Sequence, residues 1–143
     1  EPFGFTTNYV QAWCYEVESG MNKLFNIARI GSVEVLDSKW QHEEQHSEGY
    51  IDIFRMTGFE QHPVTLRLGL LSRNLLVEEY PLAERDIKPI DKDHWLLDTM
   101  VCNYIGVGRF VVGLLDDIEI IESLEFKSYI ANFLGDMIRK IDV

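Results

Sequence analysis

The segment PVTLRLGL, residues 63–70, constrains the fold of this chain more than any other stretch. It places Val64, Leu66, Leu68 and Leu70 at every second position. Successive side chains of a β-strand point to opposite faces, so this period of two predicts a strand with one apolar face. The second part of the chain should therefore contain a sheet that buries one of its sides.

The segments that follow alternate between helix and strand patterns. Ser72 is a predicted N-cap for a short helix, RNLLVEEY, which Pro81 ends. RDIKPID and HWLLDTMVCN predict a hairpin that turns at Lys92-Asp93. GVGRFVVGLLDD then predicts a second helix, and IEIIE predicts a further strand.

The C-terminal residues complete this pattern with a third helix. Ser123 can cap it, and apolar residues recur after it at helical spacing, namely Phe126, Tyr129, Ile130, Phe133, Met137, Ile138 and Ile141. Residues 63–143 thus have the order β-α-β-β-α-β-α. This order predicts a ferredoxin-like βαββαβ domain with an extra C-terminal helix.

Residues 1–38 carry three strand-like runs, YVQAWCYE, KLFNIARI and SVEVL, with Gly20 and Gly31 at the turns between them. Short strands with tight turns favour a small β-barrel or a meander. Residues 39–62 are polar and predict a linker, in which only YIDIFRMTGF could dock through its apolar residues. The predicted fold class is α+β, with a small barrel, which could be incomplete, joined to the ferredoxin-like domain.

The charge of the chain argues against a general affinity for DNA. Thirteen Lys and Arg stand against 24 Asp and Glu, which gives a net charge of −11. A field of this sign repels phosphate backbones, so tight duplex binding by this chain alone is not expected. The chain also lacks an apolar run of the roughly 18 residues that a membrane-spanning helix needs, so a soluble protein is expected.

The two cysteines indicate a reducing compartment. Cys14 and Cys102 sit in apolar, strand-like stretches and form no paired C-x-x-C site. Buried, reduced thiols are therefore expected, and they fit a cytoplasmic protein. The first residue is Glu1 and not Met, so we expect the chain to be part of a longer protein.

The string HEEQHSEGYID contains a pattern like that of zinc proteases. On a helix, His42 and His46 would share a face and hold Zn²⁺, Glu43 would activate water, and Asp52 could supply a third ligand. The residues between them are polar, however, and no apolar face would anchor such a helix. We therefore expect exposed histidines and no bound metal, with a zinc metalloprotease as a minor alternative.

The first half resembles a known domain family. Trp13 lies in the first strand of the match, and the next strand matches the family pattern at Lys23, Phe25, Ile27, Arg29 and Ile30. These residues resemble the WYL domain, which follows helix-turn-helix regions in bacterial transcription regulators. The second half resembles the WCX extension that usually follows a WYL domain. The chain departs from the family's Tyr, Leu, Arg and Asp at Cys14, Tyr15, Asn26 and Ala28.

The resemblance implies an SH3- or Sm-like small barrel that acts as a sensor, with a positively lined face for nucleic-acid or nucleotide-like ligands. The strand period places Lys23 and Arg29 on one side of a strand. It likewise places Trp13 and Tyr15 on one side of the preceding strand. Basic groups beside aromatic rings suit a stacked, anionic ligand, so these four residues are the predicted ligand site.

A plainer interpretation of the same four residues stays open. Trp13 and Tyr15 could be core residues, because burial is the usual fate of strand aromatics. The two cations could merely pair with Glu16, Glu34 or Asp37. In that case the barrel would be filled and would bind no effector.

The predicted function is the ligand-sensing and regulatory C-terminal region of a bacterial transcriptional regulator, acting as a homodimer. The alternative from another class is an oligomerisation module without a ligand. A sensor needs a pocket with an unpaired basic group, whereas a dimerising module needs only an exposed apolar face. No catalytic residues and no cofactor are predicted, because no nucleophile, acid-base or phosphate-cradling pattern stands out.

Overall fold

The computed structural model describes residues 1–6 and 8–141, and it confirms the α+β class. The chain forms two compact units, one from Glu1 to Gly49 and the other from Tyr50 onward. In the described part of the chain, no helix is both long enough and apolar enough to cross a membrane. Each unit has its own sheet.

The first unit contains an antiparallel meander of three strands in the order β1-β2-β3. Its strands are β1 (Pro2–Phe5), β2 (Gln11–Glu16) and β3 (Met21–Asn26). Trp13 lies opposite Leu24, and Tyr15 lies opposite Asn22. Both aromatic side chains are buried, so β2 supplies the apolar centre of this unit.

The third strand predicted for the first unit, SVEVL at residues 32–36, is not formed. Val33 and Val35 are 79% and 92% exposed. Within the described residues, the backbone from 31 to 40 makes no backbone–backbone hydrogen bond. The β-branched side chains give this segment a strand preference, but a strand also needs a neighbour, and this segment has none.

Strand β3 also ends earlier than the sequence predicts. Asn26 caps a single 3₁₀ turn, Ile27–Arg29, and its side-chain oxygen accepts a hydrogen bond from the backbone N–H of Ala28 at 3.0 Å. An Asn side chain that accepts a hydrogen bond from the nearby backbone competes with the hydrogen bonds between strands of a sheet. Lys23 and Arg29 therefore do not share a strand, and the prediction that the period of two places them on one side is wrong.

The second unit has the predicted order of elements after residue 62. It contains β6 (His62–Leu68), α1 (Leu70–Glu79), β7 (Ile87–Pro89), β8 (Trp95–Val101), α2 (Tyr104–Val112), β9 (Ile118–Ile121) and α3 (Leu124–Ile141). A short hairpin of β4 (Tyr50–Ile51) and β5 (Thr57–Gly58) precedes them. The main sheet has the order β7-β8-β6-β9, and all of its neighbouring strands are antiparallel.

The apolar faces of this sheet and of its helices form one hydrophobic core. Its members from β6, α1, α2 and α3 include Val64, Leu66, Leu68, Leu76, Val107, Phe110, Val111, Phe126 and Ile130. Leu70, predicted to share the face of β6, is exposed because the strand ends at Leu68. Ile138 and Ile141, predicted on the apolar face of α3, are also exposed. Only the N-terminal part of α3 therefore carries buried residues.

Helix α1 is capped from a distant part of the chain. Ser72, the predicted N-cap, is buried inside the first turn, and its backbone N–H donates to Oδ2 of Asp117 at 2.7 Å. The carboxylate passes close to Gly69, where a Cβ atom would overlap it. The N-cap prediction for Ser72 is wrong, because the helix begins at Leu70, before Ser72, and the Asp117 carboxylate accepts a free N–H group of its first turn.

The segment predicted as a polar linker, residues 39–62, contributes to this core. Ile53 and Phe54, in the turn between β4 and β5, are buried among the core residues. The carboxylate of Asp52 is buried too, and it accepts backbone hydrogen bonds from Phe54 at 2.9 Å, Met56 at 3.0 Å and Cys102 at 3.0 Å. The hairpin is therefore a packed part of the second unit.

Replacing Asp52 with Ala should destabilise the second unit strongly. Three backbone N–H groups would lose an ionised acceptor, and we expect a loss of about 3 kcal/mol in the free energy of unfolding. Urea unfolding followed by circular dichroism measures this loss. Asp93→Ala, at an exposed position in the β7–β8 turn, is the control and should change little. Equal stability of the two variants would contradict the role of Asp52.

Candidate functional site

The structure does not bring the four predicted site residues together. Trp13 and Tyr15 are only 4% and 8% exposed. Lys23 forms an ion pair with Glu16, and its hydrogen bond to Glu16 is the main reason why the pKa of that carboxyl lies below its usual value. These observations agree with the plainer interpretation for Trp13, Tyr15 and Lys23. Arg29 behaves differently.

Arg29 lies at a cavity of about 370 Å³ beside the end of β3. Gln11, Phe25 and Asn26 also line it, together with Leu24 and Ile30. The Arg29 side chain is exposed and makes no ion pair or hydrogen bond with any described residue, so Glu34 and Asp37 do not neutralise it. We refer to this space as the Arg29 cavity.

The Arg29 cavity combines the groups that an anionic, planar ligand needs. A free guanidinium can hold a phosphate or carboxylate with two parallel hydrogen bonds. The ring of Phe25 is partly exposed and offers a stacking surface, and Gln11 adds an amide. Phe25 and Gln11 are not among the site residues predicted from the sequence. Phe25 could have been found, since it lies two positions after Lys23 on the same strand.

The two histidines of the zinc-like string converge on one carboxylate in the first unit. His42 Nδ1 lies 3.2 Å from Glu1 Oε1, and His46 Nε2 lies 2.8 Å from Glu1 Oε2. The backbone N–H groups of Gln41 and His42 donate to the same carboxylate at 2.7 Å and 3.2 Å. Glu1 thereby fastens residues 40–47, which we call the strap, to the start of β1.

The strap is also held by aromatic packing and by an amide. The ring of His46 stacks on Phe3 with 4.6 Å between centroids, and Trp40 meets it edge-on at 4.9 Å. Asn22 donates from its side chain to the carbonyl of Gln45 at 2.8 Å. The side chain of His46 is only 8% exposed, and that of His42 is partly shielded. The prediction that both histidines are exposed is therefore wrong for His46, because aromatic rings enclose it.

The geometry of a zinc protease is not formed here. Glu43–Gln45 is a single 3₁₀ turn, and His46 that follows it is extended, so the two histidines do not lie on one α-helical face. The carboxylate of Asp52 is occupied by three backbone N–H groups of its own unit. Within residues 1–6 and 8–141, no group of three or more His, Cys, Asp or Glu is arranged to hold a metal ion.

Both cysteines are free thiols. Cys102 is buried and Cys14 is half-buried. Burial raises the pKa of each thiol, and for Cys102 the negative charge of Asp52 adds to this effect. A raised pKa keeps a thiol protonated and unreactive, so neither cysteine has the character of a nucleophile.

Comparison with known proteins adds no assignment. No protein-family model matches this chain, and no curated protein matches it.

Glu1 should make the stability of the first unit depend on acid pH. Burial raises its pKa, but hydrogen bonds from Gln41, His46 and His42 outweigh this effect and lower the pKa from 4.5 to about 2. A carboxyl group whose pKa is depressed by folding stabilises the folded state above its unfolded pKa. This stabilisation should disappear as the pH falls from 4.5 toward about 2.

The comparison of wild type with Glu1→Gln tests this expectation. The difference between their free energies of unfolding, followed by tryptophan fluorescence, should be largest near neutral pH and should shrink below pH 4.5. Glu18→Gln, at an exposed position in the β2–β3 turn, is the matched control. A difference for Glu1→Gln that stays constant across this range would disprove the role of its carboxylate.

We expect purified, untagged protein to contain no stoichiometric zinc. The imidazole nitrogens of His42 and His46 face the carboxylate of Glu1 and lack the helical spacing of a zinc motif. Elemental analysis after dialysis measures the zinc content. One zinc per chain that is lost in the double variant His42→Ala, His46→Ala would overturn this expectation.

Proposed function

We propose that this chain is the ligand-sensing and regulatory region of a bacterial transcriptional regulator. In this proposal it binds an anionic effector, a nucleotide or a short single-stranded nucleic acid, at the Arg29 cavity. The observation that carries the proposal is the exposed guanidinium of Arg29, which has no partner among the described residues and borders a cavity with an aromatic wall. Such a group is what distinguishes a sensor from a plain structural module.

The resemblance to the WYL domain supports the same assignment. Arg29 and Phe25 stand at positions that match the family pattern, and both line the cavity. The meander of β1, β2 and β3 would supply part of a small SH3- or Sm-like barrel. Asn26, one of the departures from the pattern, lines the cavity, so the effector need not be that of other members.

The architecture of the second unit supports a ferredoxin-like, WCX-type domain. Strand order β7-β8-β6-β9, with α1 between β6 and β7 and α2 between β8 and β9, agrees with the βαββαβ pattern. We propose that this domain transmits the state of the sensor to a homodimer in the cytoplasm. A DNA-binding domain elsewhere in the protein would then respond.

An oligomerisation module is the second candidate, and one observation favours it. The apolar side chains of Val33, Val35 and Leu36 are exposed in a segment without a strand partner. Exposed apolar surface of this kind suits a contact between protein chains. This candidate requires no effector, so a binding experiment separates it from the sensor.

Replacing Arg29 should weaken effector binding without unfolding the protein. A charge-assisted contact contributes roughly 1.5 to 3 kcal/mol, so Arg29→Ala should lower affinity about tenfold or more. Arg29→Lys should restore only part of it, because an ammonium cannot form two parallel hydrogen bonds with a phosphate. The measurement is a fluorescence titration with short single-stranded oligonucleotides and with linear and cyclic nucleotides.

Two further variants control this experiment. Arg139→Ala removes the same charge from the exposed face of α3 and should leave affinity unchanged. Lys23→Ala tests whether the lysine contributes to effector binding. Little effect on affinity is expected, because Glu16 already neutralises this lysine. If a ligand binds and Arg29→Ala retains wild-type affinity, the site is not the Arg29 cavity. If no anionic ligand binds wild type, the oligomerisation module is the better proposal.

A further inference from the structure

The second unit contains a cavity of about 610 Å³, larger than the Arg29 cavity. It lies beside the end of β8, and Tyr50, Ile51, Asp98 and Met100 contribute to its lining. Its volume falls within the range of small-molecule sites. We call it the β8 cavity.

The walls of the β8 cavity are fixed by hydrogen bonds. The backbone N–H of Cys102 donates to Asp52 at 3.0 Å, and its thiol donates to the carbonyl of Tyr50 at 3.3 Å. These contacts hold the β4–β5 hairpin against the end of β8. On the other side, the buried hydroxyl of Thr99 donates to Asp86 at 2.7 Å. The cavity is therefore preformed and does not need a ligand to order it.

One carboxylate lining the β8 cavity, that of Asp98, is neither paired with a cation nor saturated by backbone N–H groups among the described residues. The Asp52 carboxylate is satisfied by three backbone N–H groups, and Asp86 is paired with Arg85 at 3.2 Å. Asp98 has only a long contact of 3.4 Å from the hydroxyl of Thr65 and no ion pair among the described residues. A ligand can therefore approach the Asp98 carboxylate without displacing another charge.

Large apolar side chains border the same space. Tyr50, Ile51 and Met100 are 51%, 47% and 45% exposed, although the hairpin and β8 hold their backbones in place. Apolar surface beside an uncompensated carboxylate is complementary to a cation that carries an apolar body. The net charge of −11 also favours the binding of a cation, because it raises the local concentration of cations.

We propose that the β8 cavity binds a small primary amine with an apolar body. Its ammonium group pairs with Asp98, and its apolar body lies against Met100 and the Tyr50–Ile51 strand. This site is independent of the proposed effector site, because it lies in the other unit and prefers the opposite charge. The chain would then respond to a second class of small molecule.

Three probes of similar size and different charge test the proposal on the whole chain by calorimetric titration. They are 2-phenylethylamine, the uncharged 2-phenylethanol and the anionic 3-phenylpropionate. The amine should bind wild type about tenfold or more tightly than the alcohol or the acid, and added salt should weaken it. Asp98→Asn should reduce the affinity for the amine to that for the alcohol. Met100→Ala should lower the affinity for the amine and for the alcohol by a similar factor.

Asp93→Asn is the matched control, since it makes the same change at an exposed position outside the β8 cavity, and it should bind the amine as wild type does. The comparison of the three probes on wild type needs no variant, so it tests the preference for an amine even if Asp98→Asn does not fold. The proposal is overturned if the amine binds no tighter than the alcohol at millimolar concentration. It is equally overturned if a folded Asp98→Asn protein keeps wild-type affinity for the amine.

Discussion

Strand β6 is the element on which the rest of the second unit depends. It pairs with β8 along one edge and with β9 along the other, so its backbone groups are bonded on both sides. Its apolar side chains Val64, Leu66 and Leu68 have no solvent exposure. Burying that face requires a layer of helices, and residues of α1, α2 and α3 join the same core. The loops, caps and cavities then take their positions from this sheet.

Carboxylates connect distant parts of this framework. Asp52 binds the backbone at the end of β8, and Asp117 binds the first turn of α1. In the first unit, Glu1 does the same for the strap. Each of these acids satisfies N–H groups that would otherwise lack a partner, which stabilises both ends of the contact. Part of the acidic excess of this chain is therefore structural, and the total charge alone does not locate a site.

The candidate sites are defined by the charges that remain after these pairings. Lys23 is neutralised by Glu16 and Arg85 pairs with Asp86, whereas Arg29 and Asp98 have no oppositely charged partner among the described residues. From the sequence, Lys23 and Arg29 were equivalent, because both are cations next to strand aromatics. Arg29 could be predicted as a candidate, but its distinction from Lys23 could not. That distinction depends on Glu16 of the neighbouring strand, which pairs with Lys23, and on the end of β3 before Arg29.

The sequence by itself determined the elements whose pattern is local: the half-buried strand β6, the β7–β8 hairpin, the amphipathic α2 and α3, and the order in which they follow. Periodicity reveals these because it reports which side chains of one segment need burial. Only the tertiary structure decided that Ile53 and Phe54 enter the core, that Asp117 replaces Ser72 as the cap of α1, and that His46 faces Glu1. The physical reason is that a polar group is satisfied by whichever partner folding brings near. For Ser72 and for His46 that partner lies 45 residues away along the chain, beyond the reach of any local pattern.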